Sequence, residues 1–299
     1  MKVIVITGPT GVGKTKLSVL LAKKYDGEII NADAMQVYRD LNIGTAKITE
    51  EEKEGVPHHL FDIKNVNEEY SVYDYQKDCR KKIEEIIQRD HVPILVGGTG
   101  LYIKSALYDY QFSDYSKESK EIYEDKSLEE LNEILREIDP NGACFVDQNN
   151  KRRIINAIIY YQENGKSISQ NHTNQLLYDC IFIGLTTERD NLYRIINQRV
   201  DKMIDMGLVD EVKNFYDQKI FTKPLIGGIG YKELYQYFDK DISYEDAIDS
   251  IKRNSRRYAK RQYTFFRNKL DIKWFNTDYS NFCNTVNEVS VYIENNVVN

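Results

Sequence analysis

An α/β fold, a parallel sheet flanked by helices and interrupted by a mostly helical insertion, is what this sequence predicts. Three observations carry the prediction. Residues 2–7, 28–31, 93–96 and 180–185 are short, β-branched-rich runs whose apolarity is continuous rather than alternating, the pattern of strands covered on both faces. The intervals between these runs are long enough for crossover helices. From Ser113 to Asp139 the composition turns to acids and helix formers, and no strand signal returns until Cys180.

The first run leads directly into Gly8-Pro9-Thr10-Gly11-Val12-Gly13-Lys14-Thr15, a G-x-x-x-x-G-K-T loop, and then into the helix-like residues 16–25. In that setting backbone N–H groups converge on an anion at a helix N-terminus, Lys14 supplies a point charge, and the Thr15 hydroxyl can sit on Mg2+. A structural glycine turn is the alternative, but strand before and helix after is the context of a phosphate cradle. The chain is therefore expected to hold a di- or triphosphate, and its sheet to be P-loop NTPase-like. The motif does not say whether the phosphate is reactant, leaving group or handle.

The second run ends near Asp33, where open α/β sheets place their ligands. A carboxylate there can take a proton from a nucleophile or orient it, and it can equally serve as a helix N-cap; position alone does not choose. Residues 71–88 form the clearest crossover helix, with Tyr75, Cys79, Ile83, Ile86 and Ile87 at helical spacing, ended by Asp90-His91-Val92-Pro93. The third run precedes Gly97-Gly98-Thr99-Gly100, which allows backbone to approach a ligand closely or simply makes a turn, and which sets the Thr99 hydroxyl on the rim of Asp33. That strand lacks the terminal Asp of a Walker-B magnesium site, which argues against an ordinary NTP hydrolase. Asp139-Pro140-Asn141-Gly142 reads as a break, and residues 151–162 as a helix closed by Asn164-Gly165. Helices dominate residues 190–269, followed by a strand at 271–275 and a final helix. The expected organisation is a catalytic core of residues 1–112 and 180–299 around a helical insertion domain of residues 113–179.

With 299 residues, 41% hydrophobic and 29% charged, the chain has the makeup of a globular protein. No apolar stretch nears the roughly 18 residues that span a bilayer, and no signal-peptide core is visible, so a cytoplasmic protein without membrane contact is expected. Cys79, Cys144, Cys180 and Cys283 are scattered, which suggests neither a disulfide framework nor a zinc cluster. His58 and His59 are adjacent and point apart on extended chain, which suits metal binding poorly. The net charge is −6, yet residues 251–269 contain Lys252, Arg253, Arg256, Arg257, Lys260, Arg261, Arg267, Lys269 and no acid, +8 against −14 for the remainder. Arg253, Arg256, Arg257 and Lys260 share one helix face, either solvated or in contact with phosphate; the lack of interleaved acids favours phosphate, of a ligand or of a nucleic-acid backbone. Arg152 and Arg153 form a smaller basic spot for which surface charge is an equal reading. Tyr38, Tyr102 and Tyr231 accompany the loops, but among 23 tyrosines none is singled out for stacking on a base. Nothing points to an oligomer, and a monomer is the default.

The loop at residues 8–15, Asp33-Ala34-Met35-Gln36-Val37-Tyr38-Arg39, Asn42-Ile43-Gly44-Thr45-Ala46-Lys47, Pro57-His58-His59-Leu60, Gly97-Gly98-Thr99-Gly100-Leu101-Tyr102, Gly230-Tyr231-Lys232-Glu233 and Tyr258-Ala259-Lys260-Arg261-Gln262 together resemble the tRNA dimethylallyltransferase family. The resemblance runs in order over residues 1–275. It implies transfer of a dimethylallyl group from dimethylallyl diphosphate to the exocyclic N6 amine of the adenosine 3′-adjacent to the anticodon, in tRNAs reading codons that start with U. It implies further that the loop Gly8, Pro9, Thr10, Gly11, Val12, Gly13, Lys14 and Thr15 holds the diphosphate as leaving group, with Mg2+ on Thr15 and Arg256 from the basic helix. Catalysis then falls to Asp33, Thr99 and Lys14. Contacts to the tRNA anticodon stem-loop fall to Asp33, Ala34, Met35, Gln36, Thr99, Arg152, Arg153, Arg257, Lys260 and Arg261, with the insertion embracing the stem-loop. Ala34, Asn156 and Phe265 depart from the serine, arginine and tryptophan common in the family. Without the resemblance, a P-loop small-molecule or nucleotide kinase stays close behind, and a nucleotide-switched RNA-binding module is the non-enzyme alternative.

Overall fold

The computed structural model describes residues 2–110, 117–170 and 175–297. Strands β1 (Val3–Thr7), β2 (Gly27–Asn31), β3 (His58–His59), β4 (Val92–Val96), β5 (Cys180–Thr186) and β6 (Lys273–Asn276) form one parallel sheet in the order β3-β2-β4-β1-β5-β6. The four continuously apolar runs of the sequence are its four inner strands. Only an inner strand needs both faces apolar, and all five residues of β1 and of β2 are buried. Register sets Ile6 beside Val96 and Ile183, and Asn31 beside Val96. The loops leaving β1, β2 and β4 therefore emerge side by side at the carboxyl edge, where open α/β sheets bind ligands.

Helices α1 (Lys14–Tyr25), α2 (Glu50–Lys53), α3 (Val72–Gln88) and α4 (Gly100–Leu107) connect the first strands. Gly13, at φ 90°, turns the chain from the loop into α1, and Lys23 and Lys24 in the last turn complement the helix dipole. Leu17 and Leu21 of α1 are fully buried against Ile4, Ile6, Ile29 and Ile94, each contributing about 1.5–3 kcal/mol of hydrophobic stabilisation. Helix α3 starts in a capping box of Ser71 and Asp74 and buries Tyr75, Cys79, Ile83 and Ile86, the stripe expected from its spacing.

Residues Leu107–Leu177 form a compact unit of their own. It contains α5 (Lys117–Glu124), α6 (Leu128–Ile138), α7 (Pro140–Phe145) and α8 (Lys151–Asn164), with a core that includes Leu131, Leu135, Ile154 and Ile158. The start anticipated at Ser113 lies outside the described residues. Asp139-Pro140-Asn141-Gly142 breaks the helical stretch as expected, with Asp139 as the C-cap of α6, and it also begins a short helix: Asp139 caps α7 by accepting from the Gly142 N–H at 2.8 Å, and Pro140 takes the first turn, where its missing N–H costs nothing. On α8, Asn156 has a buried Oδ1 without a hydrogen-bond partner.

The chain then continues through α9 (Arg189–Asp205), α10 (Leu208–Asp217), α11 (Lys223–Gly227), α12 (Tyr231–Phe238), α13 (Tyr244–Lys269) and α14 (Phe282–Val297). The basic helix is longer than its basic run, because Ser243 caps α13 by accepting from the Asp246 N–H at 3.1 Å. All four cysteines are free. Among the described residues no helix is long and apolar enough to cross a membrane.

Candidate active site

A cavity of about 1070 Å3 opens at the carboxyl edge of the sheet, entirely within the larger unit. The loop after β1 forms one wall through Thr10, Gly11, Gly13, Lys14 and Thr15. Gly8 and Pro9 are buried behind it and Val12 faces the core. Lys14 donates from Nζ to the carbonyls of Gly8 at 2.9 Å and Pro9 at 2.7 Å. Burial lowers its pKa to about 7, the nearby Arg199 guanidinium adds to the lowering, and the Asp33 carboxylate opposes both. Thr15, next in sequence, is exposed at the cavity wall.

Asp33 leaves β2 in a fixed posture. Its N–H donates to Asn31 Oδ1 at 2.9 Å, its Oδ1 accepts from the Met35 N–H at 2.9 Å, and Asn31 Nδ2 ties the turn to the Leu60 carbonyl at 3.0 Å. Tyr75 locks Asn31 in turn, donating to its carbonyl at 2.9 Å while stacking on Tyr102 at 3.9 Å between ring centroids. The turn after β4 approaches so closely that a Cβ on Gly97 would stand 2.2 Å from the Ala32 carbonyl, which explains glycine there. Thr99 Oγ1 accepts from the Ala34 N–H at 3.0 Å, so the two turns are joined directly. Thr99 is not itself part of the cavity lining; it stands behind Tyr258, which is. Burial, and next the Asp33 carboxylate, raise the Tyr258 phenol to about 12, so it stays protonated and able to donate.

Of the residues to which the resemblance assigns a role, the cavity gathers Thr10, Gly11, Gly13, Lys14, Thr15, Asp33, Met35, Gln36 and Arg261. Arg256 is placed elsewhere: it donates to Asn197 Oδ1 at 2.6 Å and lies 5.8 Å from the centroid of Tyr193, outside the cavity lining. Arg257 and Lys260 are exposed on α13, and Arg152 and Arg153 are exposed on α8 in the smaller unit. The two histidines serve structure, His58 bonding the Val56 carbonyl and His59 the Glu28 carboxylate, which also binds Arg89. Among the described residues there is no group of three or more His, Cys, Asp or Glu side chains fit for a metal.

Two residues of the site were not legible beforehand. Arg199 projects from α9 into the cavity, where burial lowers its pKa and Asp33 opposes that loss. Its signal was available: Leu192, Ile196 and Met203 repeat at helical spacing, and Arg199 interrupts that apolar stripe with a charge. Glu211 on α10 accepts the backbone N–H groups of Asn42, Ile43 and Gly44 at 3.1, 2.7 and 3.1 Å and the Tyr231 hydroxyl at 2.6 Å. It thereby holds the loop whose Gly44, Thr45 and Ala46 line the cavity opposite the cradle.

A family model described as IPP transferase matches residues 36–269. The tRNA dimethylallyltransferase of Anoxybacillus flavithermus is 51% identical over 98% of this chain and 96% of its own length, and that of Geobacillus kaustophilus is 48% identical over the same shares. Among solved structures, the full-length tRNA isopentenylpyrophosphate transferase of Bacillus halodurans is 44% identical, with a TM-score of 0.78 over 99% of this chain and 96% of that one. A eukaryotic dimethylallyltransferase acting on tRNA is 32% identical, with a TM-score of 0.89 over 99% of this chain and 79% of that one.

Proposed function

The chain belongs to the IPP transferase family, and on that premise we propose how its own residues carry a prenyl group to tRNA. It is a tRNA dimethylallyltransferase. The donor in this reading is dimethylallyl diphosphate, and the acceptor is the N6 amine of the adenosine 3′-adjacent to the anticodon in tRNAs that read codons starting with U. The observation that carries it is the single cavity in which a diphosphate cradle with Lys14 and Arg199 faces the fixed carboxylate of Asp33.

An aromatic exocyclic amine is a weak nucleophile, so the allylic carbon must gain cationic character as its bond to diphosphate oxygen breaks. Stabilising the departing charge is then the main demand. Backbone N–H groups of the loop, Lys14 and Arg199 meet it; Arg199 takes the part that the family resemblance suggested for Arg256. In exchanging the neutral carbonyls of Gly8 and Pro9 for phosphate oxygens, Lys14 gains charge-assisted hydrogen bonds. With one oxygen of Asp33 held by Met35, the other accepts the amine proton as the N6–carbon bond forms and diphosphate leaves. Thr99, whose Oγ1 accepts from Ala34 and whose side chain pairs with the Tyr258 phenol, would steady the acceptor through Tyr258, which lines the cavity. Thr15 would hold Mg2+, a cation suited to one hydroxyl with diphosphate and water oxygens and in no need of a carboxylate cluster; when bound it supplies further charge to the leaving group.

The purine has to leave its stack to reach Asp33, at a cost of a few kcal/mol. Ala34, Met35 and Gln36 at the rim would meet it and its neighbours, while Arg257, Lys260, Arg261 and, on the smaller unit, Arg152 and Arg153 would meet phosphates. The reading takes the enzyme as a monomer working on cytoplasmic tRNA.

The test is incubation of labelled dimethylallyl diphosphate, or labelled ATP, with and without an anticodon stem-loop RNA. Label should enter RNA from the prenyl donor alone, and Asp33→Ala should lower kcat by about 100-fold or more while RNA affinity stays within about threefold. Label passing from ATP to a small acceptor, or full turnover by Asp33→Ala, overturns the reading.

A further inference from the structure

We propose that Gln262 sizes the phosphate cradle, closing its Thr10 end so that the loop engages two phosphoryl groups and gives a third no site. This rests on the reading of the cavity as a diphosphate cradle and adds to it a determinant of donor class. Gln262 stands on α13, only 5% exposed, yet reaches the cavity wall. Its Oε1 accepts from the Thr10 N–H at 3.0 Å, and its Nε2 donates to the Gly98 carbonyl at 3.0 Å. One carboxamide thus spans from the loop after β1 to the turn after β4.

Backbone N–H groups along such a loop are what successive phosphoryl oxygens bind. At Thr10 that donor is already satisfied by the protein. A phosphoryl group seeking it would have to expel Gln262, leaving the Gly98 carbonyl and the carboxamide without partners in a buried place. Glycine at 98 is what lets the carboxamide come so close, since a Cβ there would stand 2.1 Å from Gln262 Nε2. Moreover Oε1 presents lone pairs, not a donor, to any anion at that end. At the other end of the loop Thr15 is exposed on the cavity wall, so the cradle is open on one side and stopped on the other. A nucleoside triphosphate is therefore denied the extra contacts that make it tight in loops of this kind.

Competition of inorganic pyrophosphate and inorganic tripolyphosphate against labelled dimethylallyl diphosphate, at constant free Mg2+, tests this by binding alone. On the wild type, tripolyphosphate should compete no better than pyrophosphate despite its greater charge. Gln262→Ala should shift the ratio of the two constants toward tripolyphosphate by about tenfold, which corresponds to about 1.4 kcal/mol. General loosening of the fold would weaken both probes alike and leave the ratio unmoved. Should Gln262→Ala not fold, Gln262→Ser also removes the carboxamide while supplying a short hydroxyl that cannot span to Thr10. Wild-type protein that binds tripolyphosphate about tenfold tighter, or a variant ratio equal to the wild-type one, overturns the inference. If pyrophosphate fails to displace the donor from the wild type, the cradle reading itself falls, and the inference with it.

Discussion

Donor binding should be coupled to uptake of a proton by Lys14, and the size of the effect follows from its surroundings. In the free protein burial and Arg199 together bring this lysine to about 7, against the partial opposition of Asp33. A diphosphate placed beside it favours the ammonium and returns the group to at least its ordinary range near 10.5. The sign is fixed by the order of the two values: the complex holds more protons than the free protein between them, so affinity is full below about pH 7 and falls as pH rises toward the bound value. From about pH 7.5 to about pH 8.5 the dissociation constant should rise about eightfold, or about 1.2 kcal/mol, because the fraction of free protein still protonated at Lys14 falls by that factor. Phosphate esters lose their last proton near pH 6, so the ligand contributes little in this window. Calorimetric titration of dimethylallyl diphosphate at about pH 8.5, in two buffers of different ionisation enthalpy, should report uptake of about 0.9 proton per site. Lys14→Arg, charged throughout, should report none. A buffer-independent enthalpy with the wild type, or equal uptake by Lys14→Arg, would refute the electrostatic account of the site.

The placement of the two arginines separates their roles. Arg199→Ala should raise the KM for dimethylallyl diphosphate by about tenfold or more and lower kcat, as loss of a buried charge-assisted contact does. Arg256→Ala, which loses only Asn197 and Tyr193, should leave donor KM within about twofold; steady-state kinetics with saturating RNA decides, and equal effects would mean that Arg199 does not meet the diphosphate. Removing Glu211 strips four hydrogen bonds from one carboxylate, so Glu211→Ala should cost about 2–4 kcal/mol of stability, with Glu211→Gln intermediate, read from urea midpoints at unchanged m-value.

What the sequence disclosed and what it hid divide along one physical line. The inner strands were legible because burial on both faces writes itself into four or five contiguous residues. Likewise, the cradle is a local object whose strand, loop and helix are consecutive. β3 was not legible, being two half-buried histidines on a sheet edge with no period to detect. The break at Asp139-Pro140 was legible, but that the residues stopping α6 also start α7 was not, because it depends on where the Asp139 carboxylate bonds, to Gly142 and Ser167. Arg256 and Arg199 show the limit most clearly. A run of bases announces α13, and Arg261 of that run does line the cavity; Arg199, the buried arginine beside Lys14, sits on another helix inside an otherwise apolar stripe, and only tertiary structure sets its direction.

The electrostatics of the cavity also give Asp33 two successive tasks. In the free protein its carboxylate is the counter-ion that opposes loss of charge on both Lys14 and Arg199. Diphosphate brings its own negative charge to those cations and relieves Asp33 of that task. In the proposed reaction Asp33, its carboxylate still held by the Met35 N–H and its own N–H by Asn31, then meets the amine. On the proposed reading, the two cations that Asp33 faces in the free protein are the ones that stabilise the departing charge. A cradle built for phosphate thereby serves prenyl transfer through its neighbours on β2 and α9, with no change to the loop motif itself.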